Sequence, residues 1–298
     1  MNKKLLSILS LLIISSLNAM DNPHPDQFFT PTKVPIQIYR TIDEIIEGAD
    51  HECDLAEVSP RVWKASPLSC IQGLRKVFDR RSEQELRKKG ITPELIHSLM
   101  PEASEMLKEE CEQYRGAKPV NPNLKRQMSE VSRAMKVSSP ECKSVRLDNP
   151  GFCMGELVLL DEDYLHHEAP TPRRKKAILA HEMRHRLNRD RVKHDATIMA
   201  HEVVGAAISP GFFGKKTRCA ETFADLESSA VTPEFAQAAL RLTRKAHQMH
   251  GDGQADSHPS HKQRRRLAEL SCDLHEQEPK RIKAKRNLRE DYKDIWDC

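Results

Sequence analysis

The chain has 298 residues, of which 31% are charged, 5% are aromatic and only 11 are glycine. So few aromatic residues and glycines disfavour an all-β sandwich, whose strands and turns need them, and favour a mostly helical fold. The net charge of +4 is small for this length, and the basic clusters at 173–176 and 264–266 contain no aromatic side chains on which bases stack. A nucleic-acid partner is therefore not expected.

The first 19 residues have the pattern of a secretory signal peptide. Two lysines at residues 3–4 precede an apolar run, residues 5–17, that is too short to span a bilayer comfortably. Ala19 offers a small residue for cleavage. Leu17, two positions earlier, is not small, so the sequence does not fix which bond is cleaved. We expect an exported protein, periplasmic or secreted, and the sequence does not indicate a peripheral association with a membrane.

All the cysteines follow this segment, and none forms a C-x-x-C pair. An even number of cysteines in an exported chain predicts disulfide bonds, with a connectivity that the sequence cannot resolve. The alternative is buried free thiols that act as small apolar residues. The eight cysteines are Cys53, Cys70, Cys111, Cys142, Cys153, Cys219, Cys272 and Cys298.

Residues 20–40 contain four prolines and predict an extended lead-in. Residues 41–139 have a helical pattern without a fixed repeat, and we expect a helical lobe of unknown role. Gly90 and Gly116 lie where helices should end. Five helix starts are predicted, from a capping-box spacing or from a capping residue before proline: Thr41 with Glu44, Ser82 with Glu85, Ser66-Pro67, Thr92-Pro93 and Asn121-Pro122.

Two strands are predicted after the lobe, at residues 142–147 (CKSVRL) and 155–160 (GELVLL). A turn-forming Asp-Asn-Pro-Gly sequence separates them, so we expect a hairpin. The free edge of its second strand, at Leu157, Val158 and Leu159, would pair with an extended peptide substrate. The alternative is a purely structural hairpin.

The helix after this hairpin begins with a Thr-Pro pair at residues 171–172 and carries the motif His-Glu-Met-Arg-His. His181 and His185 are four residues apart, so a helix places both imidazoles on one face, where they reach one metal ion. Glu182 can then take the proton of a metal-bound water. With 14 histidines in the chain, the alternative is a basic surface helix on which the motif arises by chance.

A second pair of residues at helical spacing follows. Glu221 and Asp225 are four residues apart, so one carboxylate can bind the metal while the other holds a ligand histidine by its second ring nitrogen. By itself this pair is better explained as an ordinary acidic surface. Further on, a Ser-His-Pro segment contains His258, and Arg264 follows it by six residues.

In this order, the strand pair, the H-E-x-x-H helix, the E-x-x-A-D helix and the S-H-P segment resemble the HtpX-type family of zinc metallopeptidases. This family includes the CaaX prenyl endopeptidases and soluble periplasmic relatives of the BepA type. The resemblance covers residues 142–270. It implies an α+β fold, mostly helical with a small sheet, in which a zincin-like domain of the gluzincin type holds one Zn²⁺ per chain.

The resemblance also implies a role for each matching residue. His258 would approach the metal, stabilise the oxyanion or cover the open site, and residues 155–160 would form the substrate-pairing edge strand. The other roles are His181, His185 and Glu221 as zinc ligands, Glu182 as general base, Asp225 as the aspartate that holds a ligand, and Arg264 as the basic residue after His258.

Three features depart from the family's pattern. Arg184 occupies a motif position where the family usually has a small residue. The edge region has one glycine, Gly155, where the family often has a pair. The 41–139 lobe has no counterpart. The expected organisation is a signal peptide (1–19), a lead-in (20–40), a helical lobe (41–139), a zinc metallopeptidase domain (140–275) and a charged C-terminal tail (276–298).

The expected function is zinc-dependent hydrolysis of peptide bonds in protein or peptide substrates, and misfolded exported proteins fit this role in protein quality control. One alternative is a proteolytically weak or inactive zinc-binding chaperone on the same scaffold. Another is a disulfide-stabilised structural protein in which the motif is accidental.

Overall fold

The protein is described from a computed structural model, which covers residues 33–63, 65–154, 157–191, 210–252 and 258–291. The predicted signal peptide, the first part of the lead-in, Gly155, the end of the C-terminal tail and Cys298 lie outside these ranges. Within them, no helix is both long and apolar enough to cross a membrane.

Helices make up most of the described residues, and a small mixed sheet completes the fold, which confirms the predicted α+β class. The helices are α1 (Lys33–Glu47), α2 (Pro60–Trp63), α3 (Pro67–Lys88), α4 (Pro93–Arg115), α5 (Pro122–Ala134), α6 (Glu162–Glu168), α7 (Pro172–Arg191), α8 (Pro210–Ser229), α9 (Pro233–His250) and α10 (His261–Asp291). The strands are β1 (Lys118–Pro119), β2 (Glu141–Ser144), β3 (Gly151–Met154) and β4 (Leu157–Leu160).

Helix starts that place a capping residue before proline are confirmed. The Thr92 hydroxyl accepts a hydrogen bond from the Leu95 amide at 3.3 Å, and the Asn121 side chain accepts one from the Leu124 amide at 2.9 Å. Each bond satisfies an amide that the first helical turn leaves without a partner. Ser66 precedes α3 in the same way, although its side chain makes no capping bond.

The two capping-box predictions are wrong, because Thr41 lies inside α1 and Ser82 lies inside α3. The Thr41 hydroxyl instead donates to the carbonyl of Gln37 at 2.8 Å. Helix α1 starts eight residues earlier, so residues 33–40 are helical rather than an extended lead-in. Its apolar side chains recur at helical spacing and are buried, and this burial outweighs the local capping signal.

The sheet corrects the predicted hairpin. Its strand order is β1-β2-β4-β3, in which β2 pairs with β4 in parallel and β3 pairs with β4 in antiparallel orientation. An additional strand, β3, therefore follows the turn and occupies the outer position. Leu157, Val158 and Leu159 lie in the interior strand β4, so they are not a substrate-pairing edge. All four residues of β4 are buried, as expected for a strand covered on both faces.

Two apolar cores position the site helices. The first core joins α1 and α3 to α8 and α10, through side chains that include Ile42, Leu74, Phe78, Phe223 and Leu270. The second joins α5, β4, α7 and α9, through side chains that include Met128, Val158, Leu179, Met183 and Phe235. Helices of the predicted 41–139 lobe thus pack directly on the helices that carry the candidate site. Each fully buried Leu or Phe side chain contributes about 1.5–3 kcal/mol.

The predicted disulfide bonds are absent among the described residues, since no two of the seven described cysteines are bridged. Cys70 and Cys219 instead lie buried, and Cys219 is part of the first apolar core. Burial raises the pKa of the Cys219 thiol to about 12, which keeps the sulfur protonated. Four of the described cysteines therefore fit the alternative of buried thiols, and three are only partly buried: Cys53, Cys111 and Cys142.

Candidate metal centre

Helix α7 is held by its sequence in a position where two of its histidines meet a second helix. The Thr171 hydroxyl accepts a hydrogen bond from the Arg174 amide at 3.4 Å, and Pro172 occupies the first helical position. Buried Leu179 and Met183 anchor the helix in the second core. These contacts leave His181 and His185 to face α8.

Three potential ligands converge between α7 and α8. His181 Nε2 lies 3.0 Å from His185 Nε2 and 3.1 Å from Glu221 Oε2, and His185 Nε2 lies 3.3 Å from Glu221 Oε1. Ligand atoms at about 2.0–2.1 Å from a tetrahedral zinc ion lie about 3.3 Å apart. The two imidazoles and one carboxylate therefore form a group that could hold a metal ion.

Asp225 and Arg264 support the first histidine. His181 Nδ1 lies 2.8 Å from Asp225 Oδ1, so Nδ1 donates and Nε2 is left as the ligand atom. Arg264 donates to both oxygens of the same carboxylate, at 2.7 and 2.9 Å. Arg264 is itself positioned by the first turn of α10, where Ser260 and Gln263 exchange capping hydrogen bonds.

The charges around the ligands favour a cation. Burial alone lowers the pKa of His181, but the carboxylates of Asp225 and Glu221 outweigh it and raise that pKa to about 10. Burial alone likewise raises the pKa of Glu221, but hydrogen bonds from His181, His185 and His258 hold it far below its usual range. Burial of Asp225 is opposed in the same way by Arg264 and His181, which hold its pKa well below the usual range. Without a metal, His181 therefore holds a proton at neutral pH.

Glu182 is buried one residue after the first histidine, beside strand β3. A Cβ atom built on Gly151 would lie 3.2 Å from Glu182 Cγ. The glycine thus lets the strand backbone approach the carboxylate closely. Glu182 directly follows the candidate ligand His181 in α7, which is the place that the motif predicts for a general base.

His258 lies at the more open side of the ligand group. Its Nε2 is 3.3 Å from Glu221 Oε2, and its side chain is 44% exposed, against 14% for Glu221. This proximity is compatible with each of the three roles considered for it, namely approach to the metal, oxyanion stabilisation and coverage of the open site.

Arg184 is buried and lies on a different face of α7 from the histidines. Its Nη1 is 4.0 Å from Glu227 Oε2, and Arg75 of α3 approaches the other oxygen of the same carboxylate at 3.5 Å. Neither Arg75 nor Glu227 was predicted as a site residue, because nothing in the local sequence marks either one. The unusual arginine in the motif therefore belongs to a buried ion-pair cluster.

No protein-family model, curated protein sequence or solved structure matches the chain. The resemblance to HtpX-type metallopeptidases accordingly depends on the motif residues themselves and on their order. What the geometry adds is that His181, His185 and Glu221 meet, and that Asp225 and Arg264 brace the first of them.

Proposed function

We propose that the protein is an exported zinc-dependent endopeptidase of the HtpX-like gluzincin type, with a zincin-like domain. The observation that carries this proposal is the convergence of His181, His185 and Glu221, with Glu182 buried beside them. Two imidazoles and one carboxylate are a ligand set typical of catalytic zinc sites that keep one position open for water.

In this proposal the residues around the site have separate chemical roles. A bound zinc ion supplies Lewis-acid chemistry, since it lowers the pKa of water towards neutrality and polarises a carbonyl group. Glu182 accepts the proton of the attacking water and returns it to the amine nitrogen of the departing peptide. Asp225 keeps His181 Nε2 directed at the metal position, and Arg264 keeps Asp225 ionised.

The substrates in this proposal are proteins or peptides, with unfolded exported proteins as the first class to test. His258 is exposed enough to meet a substrate carbonyl while staying within 3.3 Å of Glu221. An imidazole donor at that point would stabilise the negative charge that develops on the carbonyl oxygen.

The test separates the base from the metal. Glu182→Gln keeps the shape of the side chain and should keep stoichiometric zinc, measured by elemental analysis of the purified protein. Cleavage of casein or of an unfolded protein should fall at least about a hundredfold, as is typical when a general base is removed. Glu105→Gln, an exposed glutamate of α4 paired with Lys108, is the matched control and should cleave at the wild-type rate. Undiminished cleavage by Glu182→Gln would refute the mechanism.

A second candidate function is a zinc-binding chaperone that holds peptides without cleaving them. It is favoured by the position of His258, because an imidazole near Glu221 can occupy the place that water needs. Under this reading, the wild type binds zinc and unfolded peptides but does not cleave them, and His258→Ala gains cleavage. Under the peptidase proposal, the same substitution lowers the turnover number.

A further inference from the structure

The carboxylate of Glu227 is buried between two arginines that come from different helices. Glu227 lies in α8 and is only 1% exposed. Arg75 Nη1 of α3 lies 3.5 Å from its Oε1, and Arg184 Nη1 of α7 lies 4.0 Å from its Oε2. These three side chains, Arg75, Glu227 and Arg184, are called the arginine–glutamate cluster below.

The cluster lies on the side of α8 that faces away from the metal ligands. An α-helix turns about 100° per residue, so Glu227 points about 120° away from Glu221 and about 160° away from Asp225. Phe223 shares the face of Glu227, and its ring packs 5.9 Å from the ring of Phe78 in α3. The guanidinium of Arg75 lies 5.8 Å from the same Phe223 ring. Helix α3 therefore contacts α8 directly behind the ligand-bearing face.

A buried carboxylate is tolerated only where cations meet it, because removing it from water is costly. Here the cations come from two directions. One belongs to α3, and the other sits in α7 immediately before the ligand His185. Rotation of α8 relative to α7 moves Glu227 out of reach of Arg184, and it equally moves Glu221 away from His181 and His185. The electrostatic requirement of Glu227 and the geometric requirement of the metal site are thus met by one arrangement of the two helices.

We propose that Glu227 is a positioning residue for the metal centre, which acts by fixing the rotation of α8 against α7 through Arg184 and against the N-terminal helices through Arg75. The inference depends on the metal site of the proposed function, but not on peptidase activity. It explains why an arginine, Arg184, occupies a motif position where a small residue is expected. It also gives α3, in the otherwise unassigned 41–139 segment, a part in holding the site.

The experiment measures metal binding rather than cleavage. Affinity for Zn²⁺ is measured with the full chain by competition with a chromophoric chelator, and the ligand geometry is read from the visible absorption bands of the Co²⁺-substituted protein. Glu227→Gln keeps the side-chain shape but removes the charge. It should weaken Zn²⁺ binding at least about tenfold, the lower end of the range for residues that orient metal ligands, and should change the Co²⁺ bands. Arg184→Lys, which keeps the charge, should stay closer to wild type than Arg184→Met.

Glu130→Gln is the matched control, because Glu130 also pairs with a cation of α7, Lys176 at 2.5 Å, but at a half-exposed site. It should leave affinity and spectrum unchanged. If Glu227→Gln does not fold, Arg75→Met is the second variant. It removes the more exposed of the charges that meet Glu227, and it should also weaken Zn²⁺ binding.

The double variant Arg184→Met with Glu227→Met separates positioning from mere stability. An apolar pair can restore the free energy of unfolding that a broken ion pair loses. If the protein is stable again while zinc affinity stays weak and the Co²⁺ bands stay altered, the proposal is supported. Wild-type affinity and bands in the double variant, or in Glu227→Gln, would overturn it and leave the metal site standing. A wild-type chain that binds no Zn²⁺ or Co²⁺ would overturn the metal site and this inference together.

Discussion

Gly151 and Glu182 are in such close contact that the strand leaves no room for a side chain. A Cβ atom at residue 151 would lie 3.2 Å from Glu182 Cγ and 2.9 Å from Leu160 Cδ2. Leu160 is buried in the interior strand β4 and has little freedom to yield. The proposed general base in α7 can therefore occupy its position only because residue 151 in β3 has no side chain.

Gly151→Ala should displace the Glu182 carboxylate by a few tenths of an ångström while leaving the metal ligands in place. We expect kcat/KM for peptide cleavage to fall roughly tenfold, since small misplacements of reacting groups are costly. Zinc content should remain stoichiometric. Gly116→Ala is the control, because a Cβ there meets no atom within 4 Å and the backbone is right-handed helical. An unchanged rate in Gly151→Ala would show that Glu182 has room to move.

Asp225→Asn should weaken zinc binding by about 10–100-fold, as found for groups that hold a ligand histidine. An amide no longer fixes the proton on His181 Nδ1, and it leaves the Arg264 guanidinium without its ionic partner. Chelator competition at pH 7.5 gives the affinity. The comparison is Asp43→Asn. Asp43 is a buried carboxylate bound by Arg81 and His51, and it lies far from these ligands in the sequence. Equal affinities for the two variants would contradict the role of Asp225.

Metal binding should release a proton from His181. The pKa of this histidine in the metal-free site is raised from 6.5 to about 10 by Asp225 and Glu221, against the opposing effect of burial. That raised pKa stabilises the metal-free fold fully below pH 6.5, and the stabilisation is lost as the pH rises towards about 10. At pH 8 a metal ion must displace this proton, so zinc affinity should increase with pH over this window.

Calorimetric titration with zinc at pH 8, in two buffers of different ionisation enthalpy, counts the protons released. About one proton per metal is expected from His181. The Asp225→Asn protein should release fewer, because one of the carboxylates that raise the pKa of His181 is gone. A wild-type titration without proton release would show that His181 is already neutral in the metal-free protein.

A fragment of residues 140–298 should neither fold nor bind zinc tightly. The helices α8 and α10 bury Phe223, Leu226, Leu267 and Leu270 in the core that they share with α1 and α3. Removal of α1 and α3 exposes these side chains, at about 1.5–3 kcal/mol each, so the combined loss is comparable to the whole stability of a typical domain, about 5–15 kcal/mol. Circular dichroism and chelator competition, compared with the full chain, are the measurements. A helical fragment with full zinc affinity would show that the N-terminal helices are dispensable.

The shared helix faces of the candidate ligands could be predicted because their spacing is local, whereas the choice of Glu221 as the third ligand came from the resemblance. Residues four apart on a helix share a face whatever the rest of the chain does, so the pairs His181 with His185 and Glu221 with Asp225 needed no tertiary information. Capping residues before proline are equally local, and the starts at Pro67, Pro93 and Pro122 follow from them.

The features that escaped prediction depend on distant partners. Arg75 and Glu227 are 152 residues apart, and neither one lies in a motif. Strand β3 has only four residues, and its pairing with β4 determines that β4 is interior rather than an edge. The start of α1 at Lys33 rather than Thr41 reflects the burial of its apolar face, which a capping pattern cannot report.

The mixed sheet also implies an order of assembly. Strands β3 and β4 are separated by only two residues in the sequence, so their antiparallel pairing joins close neighbours in the chain and can form within microseconds. Strand β2 joins β4 in parallel and pairs residues that lie much further apart in the sequence, such as Glu141 with Leu157, so this contact costs more loop-closure entropy. The parallel contact therefore comes late, and substitutions in β2 should speed unfolding more than they slow folding.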